Sequence, residues 1–364
     1  MKSIAFVLRG NSGKAKYYHG NIKTFVDVSK GLCALGLNPT ILLPEDESHL
    51  TAKIEGITDG KVEIISYNYN NLNEIVTNKG LDYVVVDDDL TIMERISTIK
   101  NVKKAVFVEY LYGVNTNKGR KRKNSLKLLI GSFIPWRFVI HKYKSLLKKF
   151  DYVLANSQTT SYILQHFYDL RVAGVVYTPV GIDMRPLLNK LDKDLQRNGL
   201  LVFVGNMEND VYSRDILMEL KQIKDNIGSV KIFSGSEIST SFFKEFGFDV
   251  YSNLSVKELV SLFRASEMTY VSTEYELFGL VGAESILCGT PVILDTYHPF
   301  MENVPFQSKA VMISHPKVSL FEAVRQMKKH HIDIDLARMA IEQDYSAEAG
   351  ATELLHSLEI FGVE

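Results

Sequence analysis

Short, continuously apolar stretches alternate with helical patterns along the sequence, and this series starts twice. The first run of candidate strands is at 3–8, 39–44, 62–67, 83–88, 104–110 and 152–157, and the second is at 199–206, 230–236, 268–273 and 291–295. Strands that are apolar on both faces are typical of parallel sheets covered by helices. The sequence therefore predicts two doubly wound α/β domains, with ligands at the carboxyl ends of the strands.

The length of 364 residues fits two domains of about 150 residues each. A polar, charged segment at 185–198 separates the two runs of strands. We therefore expect an N-terminal domain over 1–184 and a C-terminal domain over 185–345. The alternative is one large α/β domain.

Composition excludes several classes of protein. The net charge of −1 does not suit the whole molecule to a polyanion. Cys33 and Cys288 are two isolated thiols, which form neither a disulfide framework nor a zinc pattern, so we expect a cytoplasmic protein without a metal. No apolar run reaches the roughly 18 residues of a membrane span.

The stretch "STEYELFGLVGAESILCGTPVIL" at 272–294 carries the most specific chemical signal. A strand ends near Thr273, and a helix follows the turn. The amides of Gly279, Leu280 and Val281 fall at the helix start, where they lack partners within the helix and carry partial positive charge. Such a helix start is suited to binding a phosphate.

Two carboxylates flank this helix start. Glu284 lies four residues after Leu280 on the same face, from where it could accept both hydroxyls of a ribose. Glu276 precedes the helix and would lie nearer the other end of the ligand. The alternative is that both are solvated surface charges. An anion beside a phosphate is unfavourable unless it binds hydroxyls, so the pattern favours a polyol ligand.

The longer stretch "YVSTEYELFGLVGAESILCGTPVILDTYHPFMENV" resembles the signature of GT-B glycosyltransferases of the retaining family 4 type. The stretches "GNIKTFVDVSKGLCALGLNPTILL", "FDYVLANSQTTSYILQHF", "LLVFVGNMEND" and "DYSAEAGATELLHSLEIFG" resemble other elements of that fold. The resemblance implies two Rossmann-like domains facing a cleft and a closing helix at 346–364 that packs back on the N-terminal domain. It also implies a hexose-like sugar moving with retention from a nucleotide-diphosphate donor to an acceptor hydroxyl.

The resemblance implies roles for individual residues. Glu284 would bind the ribose, and Glu276 would contact the donor sugar or stabilise the reacting centre. The backbone near Phe278, Gly279, Leu280 and Val281 would hold the pyrophosphate and the sugar hydroxyls. The nucleotide sugar would be a substrate, and neither a cofactor nor a metal is expected.

The chain departs from the family where an arginine and a lysine usually stabilise the leaving diphosphate. Asn206 stands where the arginine is common, and no lysine precedes the next helix. Arg214 is the nearest cation and our candidate for that task, unless it only begins a helix in water. Gly205 at the strand end and Gly13 in the polar loop at 9–21 are further candidate donor contacts. A surface loop is the alternative for the latter.

Family members often carry a histidine after the fifth strand, where this chain has Glu109. Glu109 could act as a polar contact or as a base for the acceptor hydroxyl, and the alternative is a structural carboxylate. His298 could line the donor pocket or be an ordinary turn residue. The acids at 87–89 are interpreted as loop caps.

The interval between Glu109 and Asp151 contains eleven cations and no acid. They are Lys118, Arg120, Lys121, Arg122, Lys123, Lys127, Arg137, Lys142, Lys144, Lys148 and Lys149. Large apolar residues, including the sole tryptophan Trp136, are mixed among them. The pattern over 118–149 predicts that this segment lies on an anionic membrane surface, at the inner face of the membrane. A lipid-linked or membrane-borne acceptor would explain such contact.

Alternatives remain for this basic segment and for the chain. The segment could bind nucleic acid, as in transferases of similar fold that glycosylate DNA, although few aromatic residues could stack on bases. It could also be plain structure, with a buried apolar face and solvated lysines. The chain itself could be a non-catalytic nucleotide-sugar-binding relative, because the family's arginine and lysine are missing.

Overall fold

The computed structural model describes most of the chain. The described residues are 2–9, 20–109, 111, 136–188, 196–204, 214–226, 228–234, 243–244, 247–272, 278–314 and 318–360. They fall into two compact units. Unit 1 comprises Met1–Pro179 and Ser346–Glu364, and unit 2 comprises Val180–Tyr345.

Unit 1 contains a seven-stranded parallel sheet in the order β3-β2-β1-β4-β5-β6-β7. Its strands are β1 (Ile4–Val7), β2 (Thr40–Pro44), β3 (Glu63–Tyr67), β4 (Tyr83–Asp87), β5 (Lys103–Val108), β6 (Tyr152–Ala155) and β7 (Gly174–Val175). Its described helices are α1 (Gly20–Ala34), α2 (Thr51–Ile57), α3 (Leu72–Asn78), α4 (Leu90–Ile96), α5 (Trp136–Leu147) and α6 (Gln158–His166), with α13 (Ala347–Ser357) from the far end of the chain.

Unit 2 contains a six-stranded parallel sheet in the order β10-β9-β8-β11-β12-β13. Its strands are β8 (Leu200–Val204), β9 (Val230–Ser234), β10 (Asp249–Ser252), β11 (Met268–Ser272), β12 (Val292–Leu294) and β13 (Val311–Ile313). Its described helices are α7 (Arg185–Leu188), α8 (Arg214–Asn226), α9 (Val256–Arg264), α10 (Leu280–Leu287), α11 (Leu320–Lys329) and α12 (Ile334–Asp344).

Both sheets follow the doubly wound order, so the prediction of two parallel α/β sheets is confirmed. The order reverses between β1 and β4 in unit 1 and between β8 and β11 in unit 2. In an open sheet of this kind, ligands bind at the carboxyl ends of the strands beside such a reversal. The residues that follow these four strands are therefore the candidates for a ligand site.

The central strands were predictable because they are short apolar runs buried along their whole length. Each residue of β1, β4 and β6 is buried. The strands β7, β10 and β13 were not predicted, because they lie at or near a sheet edge and are only partly buried or exposed. β7 and β13 have only two and three residues and β10 includes Asp249 and Ser252, whereas the edge strand β3 retains enough apolar residues to be predicted.

The helix α13 packs on α1 within unit 1. A Cβ placed on Gly31 of α1 would collide with the backbone of Ala347, so the two helices approach more closely than a side chain at 31 would allow. Ala351, Leu354 and Leu355 of α13, with Leu358 just after it, belong to the same hydrophobic core as β1 and α1. The returning helix is therefore an integral part of the core of unit 1.

The first boundary between the units falls at Pro179 and Val180, five residues before the expected division at 184 and 185. The Val180 amide donates to the Tyr345 carbonyl over 2.9 Å. The Arg185 guanidinium donates to the carbonyls of Glu342 and Tyr345 over 3.2 and 3.4 Å. These bonds join the segment after Pro179 to the end of α12, so it belongs to unit 2.

Candidate active site

The helix α10 begins directly after a sharp turn at Gly279. This residue adopts the left-handed conformation, with φ 95° and ψ 49°, which glycine adopts without steric cost. The amides of Gly282 and Ala283 donate to the Gly279 carbonyl over 3.1 and 3.2 Å. The amides of Leu280 and Val281 precede these first helical bonds. They lie at the positive end of the helix dipole, as the sequence predicted.

Two buried rings pack against this helix start. A Cβ on Gly279 would lie 2.6 Å from His298 Nδ1 and 2.9 Å from Phe300 Cδ1, and one on Gly282 would lie 2.7 Å from Phe300 Cε1. His298 is fully buried, and this burial lowers its pKa to about 4. A neutral imidazole therefore packs against the turn at pH 7, so His298 is a buried packing residue of that turn.

The segment before α10 is anchored from two sides. Phe278 is buried, and its ring meets Tyr345 edge-on with 5.2 Å between centroids. The Phe278 carbonyl accepts from the Phe300 amide over 2.9 Å. The Tyr345 hydroxyl donates to the Phe300 carbonyl over 2.8 Å. These contacts fix the entry into α10, and hence the direction of its first amides.

Glu284 lies one turn into α10 and is only 7% exposed. Burial, with a smaller contribution from Glu284, raises the pKa of the neighbouring Cys288 thiol to about 12. A carboxylate removed from water in this way needs hydrogen-bond donors to offset its lost hydration. Its two oxygens can accept from a pair of vicinal hydroxyls. The geometry is therefore compatible with the predicted ribose contact.

Asp295 is a polar residue that the sequence analysis missed. It follows β12, and its carboxylate accepts hydrogen bonds from the Tyr270 hydroxyl and, over 3.0 Å, from Ser272 Oγ. Both donors belong to the adjacent strand β11, Tyr270 at its middle and Ser272 at its carboxyl end. The sequence could have indicated Asp295, because this acid directly follows the apolar run of a predicted strand.

Several predicted site residues lie outside the described residues. These are Glu276, Gly205 and Gly13. Arg214 is the first residue of α8, but its side chain is also outside what the structure describes. The structure brings together Phe278, Gly279, Leu280, Val281 and Glu284.

Glu109 follows β5 at the carboxyl edge of the sheet in unit 1. Thr24 of α1 donates its hydroxyl to Glu109 Oε1 over 2.7 Å. Burial raises the pKa of the Glu109 carboxyl to about 7; Asp87 raises it further, whereas the Thr24 hydrogen bond and the charge of Arg9 oppose the rise. A carboxyl group that titrates near neutral pH can take up and release protons under physiological conditions.

The acids at the end of β4 do more than cap the loop, which is the role that the sequence had suggested. Asp89 does cap α4, accepting from the amides of Thr91 and Ile92 over 2.9 and 3.1 Å. Asp87 is buried and forms an ion pair with Arg9, with 3.5 Å between Nε and Oδ2. Asp87 Oδ1 also accepts from the Asp89 amide of the same loop over 3.4 Å, so the interpretation was right for Asp89 and incomplete for Asp87, which has both a loop contact and a partner from another strand end.

Asp88 is also buried rather than capping a loop. Its Oδ2 accepts from the Tyr143 hydroxyl over 2.9 Å, and its Oδ1 accepts from the Glu109 amide over 3.4 Å. Arg9, Asp87, Asp88 and Glu109 thus lie together where β1, β4 and β5 end. Within the described residues, no group of three or more His, Cys, Asp or Glu side chains is arranged to hold a metal ion.

Most of the basic segment lies outside the described residues, which resume at 136. In α5, Tyr143, Leu146 and Leu147 face the core, whereas Phe138 is 69% exposed. Lys142 and the following Lys148 and Lys149 are also exposed. Across the described parts of the chain, no helix combines the length and the apolar character needed to cross a membrane.

Comparison with known sequences gives a limited match. No protein-family model matches the chain. A protein of Burkholderia thailandensis named as a probable transglycosylase is 34% identical over 107 residues. This match spans 28% of the present chain and 30% of the length of that protein. It is a partial similarity that does not assign the chain to a family.

Comparison with solved structures covers nearly the whole chain. A glycosyltransferase from Rickettsia africae has a TM-score of 0.67 at 14% identity, covering 99% of both chains. Anabaena HepE, solved with UDP and glucose, has a TM-score of 0.66 at 14% identity, covering 99% of this chain and 100% of that one. A UDP-GlcNAc 2-epimerase from Neisseria meningitidis bound to UDP-GlcNAc has a TM-score of 0.60 at 11% identity, covering 99% and 100%. These similarities show that the fold is of the GT-B type.

Proposed function

We propose that this chain is a GT-B glycosyltransferase that moves a hexose-like sugar from a nucleotide-diphosphate donor to an acceptor hydroxyl. The observation that carries the proposal is the start of α10, where a left-handed glycine precedes amides that have no intrahelical partner and a buried glutamate follows one turn later. The amides would bind the diphosphate, and Glu284 would bind the adjoining ribose. A diphosphate leaving group gains negative charge as the sugar departs, and the same amides would stabilise it.

The roles of the remaining candidates extend this proposal. Glu276 would contact the donor sugar near its reacting carbon, and Arg214 would assist the leaving diphosphate. Gly205 and Gly13 would allow the backbone to approach the donor. These roles follow from the family resemblance in the sequence, as does retention of configuration at the transferred sugar.

The acceptor would be activated in unit 1. Glu109 is our candidate for the base that takes the proton of the acceptor hydroxyl as the new glycosidic bond forms. Its raised pKa supports this role, because a base that titrates near the working pH is efficient in proton transfer. The reaction would require neither a metal nor a cofactor.

The first experiment tests donor binding. Nucleoside diphosphates and their sugars are screened for stabilisation of the whole chain against heat. A ligand at 100 times its Kd adds about 2.7 kcal/mol of stability, which is readily measured as a rise in Tm. The proposal expects at least one nucleotide diphosphate to stabilise the chain and the matching nucleoside without phosphates to do so far less. Equal shifts with both compounds would contradict the role of α10.

The second experiment separates catalysis from binding alone. The stabilising donor is incubated with the wild type and with Glu276→Ala, and released nucleotide is measured with and without candidate acceptors. A transferase releases nucleotide in the wild type and loses this activity in the variant, while both bind the donor. A non-catalytic binding protein binds the donor but releases nothing in either form.

A nucleotide-sugar 2-epimerase is a second candidate, because one GT-B neighbour bears that name and was solved with UDP-GlcNAc. The two functions differ in their products. An epimerase inverts the configuration at C2 of the sugar without an acceptor, whereas a transferase forms a new glycoside. Proton NMR of the sugar after incubation with UDP-GlcNAc distinguishes them.

The acceptor would be a lipid-linked or membrane-borne glycan, reached through the basic segment at 118–149. Exposed Phe138, Lys148 and Lys149 support this, since basic and apolar side chains together favour an anionic bilayer surface. Each cation near such a surface contributes about 1 kcal/mol. Replacing both Lys148 and Lys149 by alanine should therefore weaken binding to anionic vesicles by roughly 30-fold.

The controls for this experiment separate lipid from nucleic acid. Zwitterionic vesicles should not bind, and added salt should release the protein from anionic ones. Retention on duplex DNA in place of anionic vesicles would instead favour a DNA-modifying glycosyltransferase.

A further inference from the structure

Glu109 is held by side chains from three other parts of unit 1. The Thr24 hydroxyl of α1 donates directly to Glu109 Oε1 over 2.7 Å. Thr24 itself is buried. A hydrogen bond of this length fixes the position of one carboxylate oxygen and favours its charged form. It also connects residues 85 positions apart in the sequence, so it is a product of the tertiary fold.

A second connection reaches the backbone of Glu109 through Asp88. Asp88 Oδ1 accepts from the Glu109 amide over 3.4 Å, and Asp88 Oδ2 accepts from the Tyr143 hydroxyl over 2.9 Å. Tyr143 is fully buried and lies in α5, the described part of the basic segment. The basic helix is thus joined to the strand end that carries Glu109 through one carboxylate.

A third connection is electrostatic. The ion pair of Arg9 and Asp87 lies beside Glu109, and its two charges act on the carboxyl in opposite directions. The groups that face Glu109 are therefore Thr24 from α1, Arg9 after β1, and Asp87 and Asp88 at the end of β4. Of these four groups, Thr24 is the one that donates a hydrogen bond to the side chain of Glu109.

We propose that Thr24 and Asp88 are positioning residues for Glu109, and that Tyr143 ties the basic helix α5 to this arrangement. Thr24 orients the carboxylate, and Asp88, held by Tyr143, fixes the backbone from which the carboxylate extends. The proposal rests on the proposed function, in which Glu109 is the base for the acceptor hydroxyl. Through this arrangement, a displacement of α5 would move Asp88 and alter the position of Glu109.

The first test needs no substrate. The Glu109 carboxyl is titrated in the full-length protein by infrared difference spectroscopy, with Glu109→Gln identifying its band. The wild-type midpoint should lie at about 7. Thr24→Val keeps the shape of the side chain but removes the donor, so the midpoint should rise by about one pH unit. Thr24→Ser keeps the donor and should restore it. An unchanged midpoint in Thr24→Val would overturn the role of Thr24.

The second test asks whether the effect of Tyr143→Phe on kcat depends on the presence of Glu109. Tyr143→Phe should lower kcat by about 10–100-fold in the wild-type background, because a small displacement of a catalytic group is costly. The same change should have no further effect in Glu109→Gln. Equal losses in both backgrounds would show a purely structural effect and overturn the role of Tyr143. Tyr152→Phe, which removes another hydroxyl of the same unit, is the matched control and should leave kcat unchanged.

These tests separate the positioning role of Thr24 from the role of Glu109 as a base. Full transfer activity in Glu109→Gln would refute the base assigned in the proposed function, while the infrared midpoints would still decide whether Thr24 orients the carboxylate. An inactive Glu109→Gln together with an unmoved midpoint in Thr24→Val would refute the positioning role and leave the base in place.

Discussion

The two units have the same strand order but use different chemistry at their strand ends. In unit 1, side chains dominate: Arg9, Asp87, Asp88 and Glu109 lie where β1, β4 and β5 end. In unit 2, the described part of this edge combines the Asp295 carboxylate with the backbone at the start of α10, where Gly279 adopts the left-handed conformation. One topology thus places a cluster of ionisable side chains at the strand ends of one unit and a helix start at those of the other.

This difference suits the two sets of strand ends to different steps of the proposed reaction. Backbone amides have a fixed partial charge and no proton to exchange, so they suit the binding of a diphosphate. Carboxylates in a partly buried setting have shifted pKa values, so they suit proton transfer. We therefore expect changes at the strand ends of unit 1 to affect turnover and changes at the start of α10 to affect nucleotide binding.

The largest expected effect tests this division directly. Glu109→Gln should lower kcat/KM by about 10²–10⁴-fold, the usual contribution of a general base, with the nucleotide Kd unchanged. Glu284→Gln should instead weaken nucleotide diphosphate binding by roughly 10–100-fold, because hydrogen bonds to a charged group are lost. Calorimetry gives Kd, and initial rates give kcat/KM.

Asp225→Asn, an exposed acid of unit 2, is the matched control and should change neither quantity. If Glu284→Gln altered only turnover, or Glu109→Gln mainly Kd, the proposed division between the units would be refuted.

A somewhat smaller effect is expected from the glycine turn. Gly279→Ala should lower the free energy of unfolding by about 4 kcal/mol, because a left-handed alanine is strained and its Cβ meets His298 and Phe300. Gly36→Ala in unit 1 shares the positive φ, at 80°, but its Cβ would meet no atom within 4 Å. It should cost only about 1 kcal/mol. Similar losses in urea unfolding would show that packing at the turn contributes nothing.

Ion pairs provide the next comparison. Arg9→Met leaves buried Asp87 without its cation, so the free energy of unfolding should fall by about 2 kcal/mol or more. Lys328 in unit 2 pairs with Glu267 over 2.8 Å, but about a third of each side chain is exposed. Lys328→Met should therefore cost less than about 1 kcal/mol. Urea unfolding of both variants measures the difference, which would vanish if Asp87 were well solvated.

The most gradual effects concern pH, and His298 of unit 2 and Glu109 of unit 1 should change stability in opposite directions. His298 has its pKa lowered to about 4 from 6.5, so its unfolded form binds the proton first and stability falls as pH drops from about 6.5 to 4. Glu109 has its pKa raised to about 7 from 4.5, so stability falls as pH rises through that window. Each group changes the slope by at most about 1.4 kcal/mol per pH unit.

The measurement is urea unfolding of the full chain between pH 4.5 and 7. His298→Asn removes the titrating imidazole and should make the slope of unfolding free energy against pH more negative than in the wild type. Glu109→Gln removes the titrating carboxyl and should make this slope more positive. Shifts of the same sign in both variants would contradict the opposite environments of these groups.

The fold and the start of α10 were predictable because their signals are local. Apolar runs specify the central strands, and Gly279 before good helix formers specifies the helix start. The environment of Glu109 could not be predicted, since Thr24 and Tyr143 come from distant parts of the chain. For the same reason, Asp87 and Asp88 resembled ordinary loop acids until the partners from β1 and α5 were known.

The packing of α13 on α1 has a consequence for how the chain is made. All residues of unit 2 precede α13 in the sequence, whereas unit 1 needs α13 to cover α1. In the order of synthesis, the residues of unit 2 are complete before α13 is added, so unit 1 receives the last part of its core after unit 2, although it contains the earlier residues. A chain that stopped before α13 would leave the apolar surface of α1 uncovered.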